Sequence, residues 1–203
     1  MDNNWRNIKG AAAALEEVGI PVSKGIVAEF ERSFKSMPHE TLDSLNVTAM
    51  LLSALGVGHY DYRSHEWTPT SDVVYSFDTE VSDIDRMYTL FLKGVQAISG
   101  EEFEITQVSE EAGGVEYPTG RETRIVRFLL DGRACLYTAR ENYDWFDMGM
   151  LDYLNEALVL TGNPKRLFFM SDGYQECIIF YCTKFWAKRF EKKTGCPLYD
   201  HTD

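Results

Sequence analysis

An α+β fold is predicted by three features of the chain. The first third repeats apolar residues at helical spacing, the remainder runs strand to strand through Asp-Gly turns, and strict β-α-β alternation is absent. The expected architecture is a helical N-terminal third over residues 1–58 followed by an α+β domain over residues 59–203, or one continuous domain spanning both. That second part is expected to hold an antiparallel or mixed sheet built from hairpins, with helices packed on one face. A hydrophobic fraction of 44% over 203 residues is enough for an ordinary core.

The elements follow in order. Trp5, Ile8, Ala12, Leu15 and Val18 recur every three or four residues, and Gly19 with Pro21 stops that helix. Ile26, Val27, Phe30, Phe34 and Met37 mark a second helix, broken at Pro38. Leu42, Leu45, Ala49, Leu52 and Leu55 mark a third, ending at Gly56 and Gly58. The stretch from His59 to Glu66 reads as a polar linker. Val73–Phe77 is a β-branched and aromatic run of strand type. Ser82, with Asp85 three residues on, imitates a capping box for a helix carrying Ile84, Met87, Tyr88, Phe91, Val95 and Ile98. Phe103–Val108 alternates as a half-buried strand, and residues 109–121 read as a loop. Asp131-Gly132 and Asp172-Gly173 predict hairpins over 124–140 and 167–183. Met150, Leu151, Leu154 and Leu158 place a helix between them, and a basic helix with Phe185, Trp186 and Phe190 closes the order.

Charge is regional. Residues 1–36 carry five acidic and five basic side chains. Between Ser76 and Pro118 stand Asp78, Glu80, Asp83, Asp85, Glu101, Glu102, Glu104, Glu110, Glu111 and Glu116. Only Arg86 and Lys93 oppose them, so this stretch holds eight of the twelve net negative charges. Such a field steers basic partners and repels nucleic acid and anionic membrane, so neither polyanion is expected as a partner. The opening residues lack a secretory pattern, and no run approaches the ~18 apolar residues of a membrane helix. Cys135, Cys177, Cys182 and Cys196 form no C-x-x-C pair. Together these predict a cytoplasmic protein with reduced thiols.

Three clusters could carry function. Asp78 and Glu80 share a face if they lie on a strand, and Asp83 and Asp85 follow at a helix mouth. Four such carboxylates would suit Mg²⁺ or Ca²⁺, a basic partner, or simply the positive end of a helix. The segment matches no Ca²⁺ loop. His59 and His65, six residues apart with Asp61 and Glu66, fit no zinc spacing. In Glu141–Asp147, Asp144 or Asp147 suits an N-cap, while Trp145 among carboxylates suits an anchor for a basic partner. Nucleophile-elbow, Ser-x-x-Lys, zincin and Walker patterns are absent, and no cofactor is expected.

The run from Val73-Val-Tyr-Ser-Phe-Asp through Tyr143-Asp-Trp-Phe-Asp147 to the Ser171-Asp-Gly-Tyr-Gln hairpin resembles small acidic Firmicutes proteins, some of which are immunity partners of polymorphic toxins. The resemblance implies a protein that blocks a cognate toxin by occlusion and performs no chemistry. The expected function is therefore binding of a basic protein, with Asp78, Glu80, Asp83 and Asp85 steering and Asp144, Trp145 and Asp147 anchoring. The alternative is a metal-assisted hydrolase using the Asp78–Asp85 carboxylates, which a pocket lined by Asp78, Glu80 and a histidine would favour.

Overall fold

The computed structural model describes residues 8–35, 37, 45–116, 121–140 and 142–202. Trp5, Pro38, His39, Leu42, Pro118 and Glu141 lie outside the described residues. The chain folds as α1 (Ile8–Glu17), α2 (Lys24–Phe34), α3 (Val47–Gly56), β1 (His59–Asp61), β2 (Glu66–Thr68) and β3 (Tyr75–Asp78). A 3-10 turn (Ile84–Arg86) leads into α4 (Met87–Ala97), then β4 (Ile105–Glu116), β5 (Arg121–Leu130) and β6 (Arg133–Arg140). The order closes with α5 (Gly149–Leu160), β7 (Lys165–Ser171), β8 (Glu176–Thr183) and α6 (Lys184–Thr194). The described residues form an α+β fold with three antiparallel sheets, ordered β3-β8-β7, β4-β5-β6 and β1-β2.

The central sheet buries both faces, which is why β8 reads Cys-Ile-Ile-Phe-Tyr-Cys without a polar break. Period two divides it. Ile178, Phe180 and Cys182, with Phe168 and Met170 of β7, join the core of α1, α3 and α6, against which α2 packs half-buried. Cys177, Ile179 and Tyr181, with Tyr75 of β3 and Leu167 of β7, join the core of α4, α5 and the β4-β5-β6 sheet. That second sheet buries only one face: Val126, Phe128 and Leu130 point in, while Leu136 on β6 is exposed. The helical third thus shares its core with the sheet and with α6.

Local chemistry sets several element ends. Ser23, Asn46 and Thr183 cap α2, α3 and α6 by accepting from Ile26, Ala49 and Trp186 amides. Gly195 closes α6 in the left-handed region at φ 75°. Asp131 and Gly132, at φ 50° and 74°, make the two-residue β5–β6 turn that an Asp-Gly pair favours.

Residues 109–116 are strand, not loop: they continue β4 along β5, with register shifts between Thr106 and Ser109 and between Ala112 and Val115. The second irregularity holds Gly113, where a Cβ would lie 2.4 Å from Thr123 Oγ1. His59–Thr68 likewise forms a hairpin instead of an unstructured linker.

Candidate functional site

A groove of about 1190 Å³ opens between the β1–β2 hairpin and the segment joining β3 to α4. The hairpin wall is fixed at its base. Trp67 lies over Gly58, whose missing Cβ would come within 2.5 Å of the indole, and Trp67 Nε1–H donates to the Val57 carbonyl at 2.9 Å. Gly58 sits at φ 74°, so both its conformation and this close approach call for glycine. Lys93 Nζ donates to the Trp67 carbonyl at 2.5 Å and Arg86 donates to the His65 carbonyl at 3.1 Å. Tyr75, on the groove floor, meets Trp67 edge-on at 5.6 Å between centroids. At the hairpin tip Tyr62 is 83% exposed, its ring 5.1 Å from that of Tyr60.

The opposite wall carries Asp78, Glu80, Asp83 and Asp85. Asp78 ends β3, and its Oδ1 accepts from the Glu80 amide at 2.9 Å. Glu80 is exposed, and its carboxylate accepts from the Gln175 side-chain amide. Asp83 is paired with Arg86, Oδ2 accepting from Nε at 2.9 Å and from a terminal nitrogen at 2.6 Å. Asp85 is exposed in the 3-10 turn. Period two does not put Asp78 and Glu80 on one strand face, because β3 stops at Asp78. The groove unites them instead.

The turn at Asn142–Trp145 packs directly on this acidic segment. The Val81 amide donates to the Asp144 carbonyl at 2.7 Å and the Phe146 amide to the Thr79 carbonyl at 2.8 Å. These bonds flank the Glu80–Trp145 bridge, making it a non-hydrogen-bonded antiparallel pair, the geometry in which opposed side chains lie closest on one face. Trp145 is 39% exposed, and Tyr143 is 87% exposed at φ 59°, a left-handed conformation that costs a bulky residue about 1–2 kcal/mol. Both aromatics line a second concavity of about 940 Å³, with Glu122, Arg140 and Asp144, and it meets the groove at Ile84.

Asp147 faces the same concavity, but its carboxylate serves the fold. Oδ2 accepts from Tyr137 Oη–H and the Arg140 amide, each at 2.9 Å, and Oδ1 accepts from the Gly149 amide at 3.1 Å at the start of α5. Burial and the Asp147 charge push the Tyr137 hydroxyl well above the ordinary tyrosine range.

The ten acidic residues of 78–116 are divided in use. Asp83, Glu102 and Glu111 are in ion pairs with Arg86, Lys165 and Arg127. Glu110 turns inward and caps α4, accepting from the Tyr88 amide at 2.9 Å and the Thr89 amide at 3.3 Å. The Ser82–Asp85 capping box does not form; α4 has no side-chain cap from its own segment. Burial raises the Glu110 carboxyl above its ordinary value, against the pull of those amides and of Arg124, which is only 8% exposed. Of the groove-wall carboxylates, Asp78, Glu80 and Asp85 stay exposed.

His59 and His65 line the groove with Asp78 and Glu80. Among the described residues, however, no three His, Cys, Asp or Glu side chains converge as a metal ion requires. His65 Nδ1 is instead 3.3 Å from the Tyr60 hydroxyl. All four cysteines are free, three of them buried; burial pushes the Cys182 thiol up to about 12 and the Cys177 thiol higher still, so both act as small hydrophobes. No helix among the described residues is long and apolar enough to cross a membrane.

Sequence reasoning passed over Tyr60, Tyr62, Trp67, Tyr143 and Gln175. The alternation of Tyr60 with Tyr62 was a weak strand signal, whereas Gln175 beside Glu80 had none. Comparison with protein-family models, characterised proteins and solved structures gave no match.

Proposed function

We propose that this chain is a cytoplasmic binding protein that captures a basic protein partner by occlusion, the partner being a cognate toxin as the immunity-type resemblance suggests. One observation carries the reading: the 78–85 carboxylates line a single groove whose facing wall is aromatic. Exposed carboxylates steer a cationic surface, and the tyrosines with Trp145 offer rigid contact area at low entropic cost. Glu110, Glu111 and Glu102, occupied elsewhere, have no part in it.

The test mixes the chain with a basic toxin candidate encoded beside it and measures affinity at low salt and near 0.15 M, where the Debye length is about 8 Å. A complex whose association rate falls with salt, and falls again in D78N/E80Q/D85N, is the expected result. No complex, or one indifferent to both changes, refutes the reading.

The hydrolase alternative has one observation in its favour, the sharing of the groove by His59, His65, Asp78 and Glu80. A bound ion would stabilise by mass action. Melting in Mg²⁺, Mn²⁺ or Ca²⁺ separates the readings: an unchanged midpoint is expected, and a saturable rise that D78N/E80Q abolishes would favour catalysis.

A further inference from the structure

The wall between the two concavities has a more specific chemistry than general acidity. Glu80 and Trp145 lie side by side on one face of their bridge, held there by the hydrogen bonds on either side of it. Gln175 holds one oxygen of the Glu80 carboxylate, Oε2, which orients the group, and among the described residues Oε1 is left for a ligand. Trp145 is exposed enough to offer part of its indole surface. A carboxylate fixed beside an indole matches a planar cation: one edge of the cation donates to the carboxylate while its plane lies on the ring.

We propose that the Glu80–Trp145 pair is a recognition site for a guanidinium group, the side chain of an arginine presented by the partner. This rests on the binding reading above and names the residue that reading would seat. Arginine is favoured over lysine because its flat, weakly hydrated head can stack and donate at once, whereas an ammonium is a compact, strongly hydrated point charge. Asp144 and Glu122, which line the adjoining concavity, offset the like charge of Arg140 there. Tyr143, held out by its left-handed backbone, supplies a second aromatic wall. Asp147 is excluded from the site because both its oxygens are engaged.

The test uses a blocked single-residue probe, N-acetyl-arginine amide, titrated into the chain while the assigned Trp145 indole N–H and the Glu80 and Val81 amides are followed by NMR. The lysine and citrulline analogues are titrated in parallel. Saturable shifts confined to these groups, strongest for arginine and absent for the uncharged citrulline, are expected. E80Q and W145L, read on the amides, should each weaken the arginine response about two- to fivefold. D147N should leave it unchanged. No saturable shift with arginine, an equal response to citrulline, or an unaltered affinity in E80Q overturns the site. The outcome is separable from partner capture: a toxin held by wild type and by E80Q alike defeats this site and leaves the binding reading standing. An arginine response without any captured toxin does the reverse.

Discussion

Gly94→Ala is the sharpest test of how the groove floor is built. Gly94 lies within α4, where alanine is intrinsically better by about 1 kcal/mol. A methyl there would sit 2.3, 2.4 and 2.5 Å from Cζ, Cε2 and Cε1 of Tyr75, whereas carbon atoms rest at about 3.5–4.0 Å. The ring would have to move by more than about 1 Å. It cannot do so freely: Tyr75 is 5% exposed and is flanked by Trp67, by a stacked Phe77 at 5.5 Å and by Phe91 at 6.2 Å. Contacts this short with a boxed-in ring put the cost in the upper part of the overpacking range, about 2–3 kcal/mol, so after the helix-propensity gain a net loss of about 1–2 kcal/mol is expected. For a chain of this length that lowers the melting midpoint by about 2–8 °C. Urea denaturation of G94A against Gly25→Ala supplies the control. Gly25 is exposed on α2 with only Ser23 Oγ nearby at 3.7 Å, so G25A should be neutral or stabilising. In a Tyr75→Leu background the penalty of G94A should vanish or change sign, a coupling that a double-mutant cycle reads directly. A G94A protein as stable as wild type would refute the packing argument, and with it the account of how Trp67 and the hairpin are held.

Glu110→Ala should cost about 1–3 kcal/mol, because two amides of the first turn of α4 lose their acceptor in a partly buried place. Since burial raises the folded carboxyl above the ordinary glutamate value, its pH-linked contribution is fully present below that ordinary value and is lost as pH rises through the folded pKa. E110Q, unable to titrate, should flatten stability over that window in denaturation curves; an unchanged pH profile would contradict the burial. Asp147→Ala should cost about 2–3 kcal/mol through three orphaned donors while leaving partner capture intact in the surviving folded fraction, which calorimetry with a bound partner would check. A thiol reagent should label Cys135 first in the native state and reach Cys177, Cys182 and Cys196 only on unfolding; rapid labelling of all four would show that the sheet core opens.

Part of the candidate site was legible in the residues themselves. Asp78, Glu80, Asp83 and Asp85 are close in sequence and share a groove wall, and Trp145 is half exposed at the turn where its carboxylate neighbours suggested an anchor. Asp147 was also found, but as an acceptor within the fold: its Oδ1 takes the Gly149 amide just before α5, whose N-cap position is Met148. Glu110 was indistinguishable from its neighbours, since nothing local says which of several acids on an alternating strand will turn inward to meet a helix end.

The sequence alone determined what short-range physics controls. Apolar spacing specified the helices, Asp131-Gly132 and Asp172-Gly173 specified two hairpins, and Gly19 specified the end of α1, because each depends on torsions and contacts within a few residues. Long-range pairing decided the rest. The far half of β4 is strand because β5 lies beside it, and the two glycines that made it look like a loop accommodate a bulge and a close approach to Thr123. Glu80 meets Trp145 and Gln175 across 65 and 95 positions, through backbone bonds and a side-chain bond that only a closed core can bring together. Charge count is a property of the chain; which charges stay in water is a property of its packing.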